Sequence, residues 1–296
     1  MRSTGEALGF IGLGLMGLPI SQHLLAAGQK LSVWNRTPEK CQALTHLGAT
    51  QAETLGELAQ HSDMIFLCLS DDVAVKSVSY SLLPHLTSAH LIVDLSTISP
   101  QTTRDLALEV NRQGASWVDA PMSGGVIGAE NRQLILMAGG TASAIARCRK
   151  VTPLFSQRLC AMGAVGAGQT TKLCNQLIVA ANSLLIAEAV ALAQNAGVDA
   201  QALAPALAGG FADSLPLQIL APRMAKHEHE PVQWRIATLH KDLSHVRDLA
   251  TQAGLHLPVA QRALDQLTIA MQSGAAALDL SHIIDLYDMQ KESPAC

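Results

Sequence analysis

The feature that most constrains the fold lies at the start of the chain. Ala7-Leu8-Gly9-Phe10-Ile11 is a short apolar run of the kind that forms a buried strand, and Gly12-Leu13-Gly14-Leu15-Met16-Gly17 follows it directly. Residues 18–27 are then apolar at helical spacing, closed by Gly28. Strand, G-x-G-x-x-G and helix in this order open a phosphate-binding βαβ unit. Gly12 would make the tight turn, Gly14 would let the backbone approach a pyrophosphate, and Gly17 would let helix and strand pack closely. The helix N-terminus attracts the phosphates. Leu13, Leu15 and Met16 complete the candidate cofactor loop. A plain glycine-rich turn is the alternative, and it does not account for the strand before and the helix after.

Leu31-Ser32-Val33-Trp34 reads as the second strand. Its end, where an NAD enzyme often places an acidic residue for the ribose 2′-hydroxyl, carries Asn35-Arg36-Thr37. An arginine beside small polar groups suits a 2′-phosphate, so NADP is the expected cofactor, with NAD possible. Further strands are expected at 64–69, 91–95, 116–119, 134–138 and 158–162, with a weak one at 49–52. Helical patterns at 38–47, 54–60, 72–86 and 100–113, and one capped by Thr141, alternate with them. This alternation predicts an α/β fold, a Rossmann-type doubly wound, mostly parallel sheet. Ligands bind at the carboxyl ends of such strands, which draws in Leu69, Ser70 and Thr97.

After Gly168 no strand pattern remains. Helical patterns cover 169–195, 200–208, 214–226, 238–253, 259–273 and 281–289. The expected division is a dinucleotide-binding domain, 1–165, and an all-helical domain, 166–296, linked by the long helix from 169. Gly166-Ala167-Gly168 precedes Lys172 and Asn175, which are three apart and share a helix face. A lysine at this seam is a candidate proton donor; a solvated surface charge is the alternative.

Composition narrows the classes. Apolar residues make up 49% and charged residues 15%, which supports a large core, and a net charge of -4 without a basic run argues against nucleic acid. Six cysteines without a C-x-x-C pair fit a reducing compartment, and the N-terminus lacks a secretory pattern, so a cytoplasmic protein is expected. The most apolar stretch, 177–193, carries Asn182, Ser183 and Glu188 and is short for a bilayer, so no membrane partner is expected. The helix at 169–195 is apolar around most of its circumference, which predicts a homodimer or homotetramer built through the second half. His227 and His229, between two helices, read as solvated, and no metal is expected.

Four blocks recur together: the glycine loop, Asp94-Leu95-Ser96-Thr97, Asp119-Ala120-Pro121-Met122-Ser123-Gly124-Gly125, and Gly166-x-Gly168-x-x-x-Lys172-x-x-Asn175. Lys241-Asp242-Leu243 follows as a fifth. In this order they resemble the β-hydroxyacid dehydrogenases over nearly the whole chain. The resemblance implies hydride transfer between NADP(H) or NAD(H) and a small β-hydroxy acid or semialdehyde, such as 3-hydroxyisobutyrate, 2-hydroxy-3-oxopropionate, glyoxylate or succinic semialdehyde. It implies that Gly12, Gly14 and Gly17 hold the dinucleotide and that Thr97 lies beside the nicotinamide ribose. Ser123, Gly124 and Gly125 would bind the substrate carboxylate, Lys172 would be the acid/base with Asn175 holding substrate, and Lys241 would close over the cofactor. The chemistry agrees: a Ser-Gly-Gly loop offers convergent N–H donors, and an ammonium supplies both a proton and oxyanion stabilisation.

This sequence departs from the family in two places. Arg132-Gln133-Leu134 stands where members often have Gly-Thr-Leu or Gly-Asn-Leu, and Met122 replaces a usual valine. Trp234 occupies a place where the family usually has an aromatic, which fits a substrate-pocket wall or a core position equally. Two alternatives stand beside the dehydrogenase reading. One is a non-catalytic dinucleotide-binding sensor or scaffold, against which Ser123, Lys172 and Asn175 argue. The other is an imine reductase-like enzyme, for which a lysine is a poor choice of acid.

Overall fold

The four residues of β1 (Leu8–Ile11) are all buried and form the middle of a nine-stranded sheet. The computed structural model describes residues 5–287. The chain divides into two compact units, Met1–Lys172 and Leu173–Cys296.

In the first unit the sheet also contains β2 (Leu31–Trp34), β3 (Thr50–Gln51), β4 (Met64–Leu67), β5 (Leu91–Asp94), β6 (Ser116–Asp119), β7 (Met122–Ser123), β8 (Leu134–Gly139) and β9 (Ser156–Gly163). Its order is β3-β2-β1-β4-β5-β6-β8-β7, with β9 paired to β8. The strands from β3 to β6 are parallel, β8 is antiparallel to β6 and β7, and β9 is parallel to β8. Helices α1 (Gly17–Ala26), α2 (Gln42–Thr45), α3 (Leu55–Gln60), α4 (Asp72–Leu82), α5 (Pro100–Arg112), α6 (Gly125–Glu130) and α7 (Ala142–Val151) fill the connections.

The continuous apolar runs follow from burial on both faces. In β4, Met64 and Phe66 join a cluster with Leu8, Phe10, Val33 and Val93. Ile65 and Leu67 join a separate one with Ile11, Ile92 and Trp117. Side chains alternate across the sheet and so feed two cores. Four helices start where expected from their caps: Thr54, Asp71, Ser99 and Thr141 accept from the backbone N–H of Glu57, Ala74, Thr102 and Ala144.

The unit boundary falls inside α8 (Ala167–Asn195). In the second unit Ala180, Leu184, Ala187 and Ala191 lie at helical spacing along α8. They share a core with α10 (Leu215–Lys226), α11 (Ile236–Gln252) and α12 (Pro258–Gln272); α9 (Leu203–Leu207) is short.

Several expectations need correction. α8 begins at Ala167, so Gly168 lies inside the helix rather than before it. α8 is 29 residues long and contains an 18-residue window of mean hydropathy 1.8, enough by length and composition alone for a membrane span, so the length argument against one does not hold. The helix expected at 200–208 is a 3₁₀ turn, Ala200–Ala202, and the five-residue α9, which contains Pro205. The pattern at 281–289 opens as a 3₁₀ helix, Leu280–Ile284, and continues as α-helix over 285–287; its last two residues lie outside those described. Neither β7 nor α6 is visible as a pattern, because a two-residue strand and a glycine-rich six-residue helix carry too little periodicity.

Candidate active site

The glycine loop leaves β1 at Gly12, whose φ of +100° favours glycine. A Cβ on Gly12 would lie 2.2 Å from the Cys68 carbonyl oxygen, and one on Gly17 would lie 1.9 Å from that of Gly12. A Cβ on Gly14 would meet nothing within 4 Å. The first and third glycines are therefore required by the fold, while the second faces open space. At the start of α1, Met16 provides no side-chain cap and the first turn holds no acidic residue. An uncapped helix N-terminus beside open space fits the pyrophosphate of a dinucleotide. Asn35, at the end of β2, accepts from Leu13 N–H at 2.9 Å and donates to the Thr37 carbonyl at 2.9 Å, tying the glycine loop to the residues after β2. Arg36 and Thr37 are exposed there.

A second network joins the ends of β4, β5 and β6. Asp94 is fully buried; its Oδ1 accepts from Ser96 N–H at 2.9 Å, and its Oδ2 has no hydrogen-bond partner among the described residues. Burial, chiefly, pushes its carboxyl up to about 7, with Asp119 and Asp72 adding to the rise. Ser96 Oγ accepts from Leu69 N–H at 2.9 Å, which fixes the loop carrying Leu69 and Ser70 beside Thr97.

Asp119, the Cα partner of Asp94 across β5 and β6, seats the start of α8. Its two carboxylate oxygens accept from Gly166 N–H and Gln169 N–H, each at 2.8 Å. Burial raises it to about 6 against those hydrogen bonds. The buried Gln169 accepts from Ile98 N–H at 3.2 Å and donates to the Ser96 carbonyl at 2.8 Å. A Cβ on Gly168 would lie 2.2 Å from the Met137 carbonyl oxygen, so only glycine allows the helix this approach. Lys172 follows Gln169 by one turn, and only 8% of it is exposed. The solvated-charge reading is thereby removed. Asp119 and Gln169 hold the start of α8, and sequence reasoning missed both. In the sequence Asp119 stands out only as part of a block, and Gln169 shows no signal.

Ser123 ends β7, and Gly124 and Gly125 follow with φ of 125° and 60°. Arg132, where the family often has glycine, takes a left-handed φ of 59°. Its Nε donates to His23 Nδ1 at 3.1 Å, and His23 Nε2 faces the carbonyls of Ala129 and Glu130 at 3.0 and 2.9 Å. A tie to α1 holds a conformation that glycine would adopt without help.

In the second unit, Asn175 Nδ2 donates to Gln176 Oε1 at 2.9 Å, and Gln176 in turn donates to the buried Asp242 on α11. Lys241 pairs with Asp242 at 3.2 Å. Trp234 is 37% exposed, so it has no core role. His229 is not solvated as expected: its side chain is 10% exposed, and with His227 it approaches Asp285.

Residues 7–166 match the family described as the NAD binding domain of 6-phosphogluconate dehydrogenase, and residues 166–287 match the NAD-binding domain of NADP-dependent 3-hydroxyisobutyrate dehydrogenase. The chain is 36% identical to 2-hydroxy-3-oxopropionate reductase of Escherichia coli (strain K12), covering 95% of this chain and 97% of that protein. Mycobacterium tuberculosis 3-hydroxyisobutyrate dehydrogenase with L-serine superposes with a TM-score of 0.87 at 28% identity, over 97% of this chain and 99% of that one. Psf3 in complex with NADP+ and 2-OPP gives 0.87 at 26% identity, over 94% and 99%. Fold and glycine loop define a Rossmann-type, nicotinamide dinucleotide-dependent oxidoreductase. The chain belongs to the β-hydroxyacid dehydrogenase family, NAD(P)-dependent enzymes acting on the CH–OH group of small hydroxy acids.

Proposed function

We propose that this enzyme prefers NADP(H), that its substrate is a small carboxylated semialdehyde with 2-hydroxy-3-oxopropionate as first candidate, and that Lys172 is its acid and base. The observation that carries the reading is the burial of Lys172, one turn along α8 from Gln169, which is hydrogen-bonded to Asp119 and Ser96 at the carboxyl ends of β6 and β5. Burying an ammonium is costly, and a lysine kept there at the ligand-binding end of a doubly wound sheet points to chemistry. The substrate class is supported by the relative that matches nearly end to end. NADP preference is supported by Arg36 at the end of β2 and by the NADP+ complex among the neighbours.

Bound NADPH supplies hydride to the carbonyl carbon. Lys172 gives its proton to the carbonyl oxygen as that oxygen gains charge, and is left as a neutral amine. In the reverse direction the amine takes the alcohol proton. Ser123, with the backbone N–H groups of Gly124 and Gly125, receives the substrate carboxylate, and Asn175 helps to orient the substrate. Lys241 closes toward the cofactor. Trp234 presents an exposed ring for the pocket wall. α8 exposes Ile178, Leu185 and Leu192 at seven-residue intervals, an apolar stripe that supports a homodimer or homotetramer.

The test is a panel of semialdehydes, glyoxylate and hydroxy acids, each assayed with both cofactors. Reduction of 2-hydroxy-3-oxopropionate fastest with NADPH is the expected result. Lys172→Ala is expected to lose at least ~10²-fold in kcat with NADPH binding retained, as for a positioned acid/base. Lys172→Arg fails as well, because guanidinium stays protonated. Near-normal turnover of Lys172→Ala would refute the assignment.

A further inference from the structure

At the carboxyl end of α10, three ligand atoms from two chain segments converge. Nitrogens of His227 and His229 and an oxygen of Asp285 lie within 4.8 Å of one another. His227 Nδ1 is 3.5 Å and His229 Nε2 is 3.9 Å from the same oxygen, Asp285 Oδ1. His227 caps α10 in the left-handed region, with φ 53° and ψ 37°, which brings His227 and His229 to one side within two residues.

Burial alone would raise the Asp279 carboxyl, but hydrogen bonds from Ser281, Gln233 and Trp234 hold it below the usual carboxylate range. Asp279 is therefore ionised and only accepts. The single hydroxyl proton of Ser281 goes to Asp279 Oδ1 at 2.7 Å. Ser281 Oγ must then accept from His229 Nδ1, which is 2.8 Å away. With its ring proton on Nδ1, a neutral His229 points the Nε2 lone pair at Asp285 Oδ1. The other oxygen of Asp285 faces His282 Nδ1 at 2.7 Å, and the His282 ring stacks on His229 at 3.7 Å, so the carboxylate is fixed with Oδ1 toward both other histidines. Arg223 is engaged by Asp279 at 3.3 Å and by the carbonyls of His229 and Pro231. Two acceptors thus converge on one point.

We propose that His227, His229 and Asp285 form a binding site for a divalent transition ion of the zinc class, with solvent as the fourth ligand. Two imidazoles and one carboxylate suit zinc, whereas calcium and magnesium take oxygen sets. Bonds of about 2.0–2.1 Å at tetrahedral angles put neighbouring donors about 3.3–3.4 Å apart. The observed 3.5 and 3.9 Å need only small side-chain movements to reach this. The outer contacts match as well: the second nitrogen of His229 bonds Ser281, and the second oxygen of Asp285 bonds His282. Side-chain exposures of 45% for His227 and 44% for Asp285 leave an entry path. The ion would pin the end of α10 to residues 279–285 and stabilise the fold by mass action, with no part in hydride transfer.

The test uses the full chain without a histidine tag, stripped with a chelator. Zn²⁺ is titrated in competition with a chromophoric chelator, and Co²⁺ is read by its ligand-field absorption. The expected result is one ion per chain, tetrahedral-type Co²⁺ bands, and a rise in unfolding temperature with Zn²⁺. His227→Ala and Asp285→Asn each lower affinity at least ~10-fold, the minimum seen even for outer-shell losses. Both retain reductase turnover, which shows that they fold. Absence of stoichiometric binding by wild type, or equal binding by wild type and both variants, would overturn the proposal.

Discussion

Asp94→Asn isolates the energetic cost of holding a carboxylate beneath the cofactor loops. Asp94 ionises near 3.8 when unfolded and near 7 when folded, chiefly because it is buried. Between those values the native state binds more protons than the unfolded state, so stability falls as pH rises and levels off above about 7. From pH 5 to pH 7 that is two units at ~1.36 kcal/mol each, so wild type should lose roughly 2–3 kcal/mol through this group. Asparagine can accept from Ser96 N–H as Asp94 Oδ1 does, and its amide takes the place of the partnerless Oδ2. The buried amide costs ~1–3 kcal/mol, but equally at every pH. The difference in stability between variant and wild type should therefore move in favour of the variant by roughly 2–3 kcal/mol between pH 5 and 8. Asp119, raised to about 6, adds a pH dependence in both proteins that ends about one pH unit lower. Urea unfolding of the cofactor-free proteins at several pH values measures this directly. Parallel curves would show that Asp94 is not the buried charge described here.

Arg36→Ala should raise the KM for NADP by ~10–100-fold and leave that for NAD nearly unchanged, since a charge-assisted phosphate bond is worth ~1.5–3 kcal/mol. Gly14→Ala should fold with wild-type stability yet bind NADP more weakly, because the new methyl group enters open space on the ligand side. Gly168→Ala should instead lower stability by ~1–3 kcal/mol or more and reduce kcat, because its Cβ would meet the Met137 carbonyl at 2.2 Å; unfolding midpoints and steady-state rates separate the two glycines. Light scattering at micromolar concentration should show a dimer or larger, and Leu185→Glu should shift it toward monomer.

The fold was legible where burial is complete. Strands covered on both faces are continuous apolar runs, so β1, β4 and β5 stand out in the sequence. The end of the sheet was less legible. β7 has two residues and its pairing with β8 is non-local, so no local pattern announces it. In the second unit the helix expected from 281 starts as a 3₁₀ turn at residues 280–284 and becomes α-helical only at 285–287, because an apolar residue every three or four positions fits both geometries.

The candidate site divides along a different line. Residues whose role needs a particular backbone, such as Gly12, Gly17 and Gly168, are legible because few other residues can replace them. Residues that act through a long-range hydrogen bond are not. Gln169 looks like any polar helix residue until its amide is seen spanning the Ile98 N–H and the Ser96 carbonyl. Asp119 looks like a strand-end acid until its two oxygens are seen under the first turn of α8. His229 looks solvated until residues 279–285, fifty positions later in the chain, supply its partners. A single sequence encodes which atoms are available but not which of them meet. The orientation of Lys172 therefore depends on a buried seat, Asp119 and Gln169, whose disruption would displace the helix start without changing the lysine. Asp119→Asn can accept from only one of Gly166 N–H and Gln169 N–H, so it should lower kcat while Lys172 is still present.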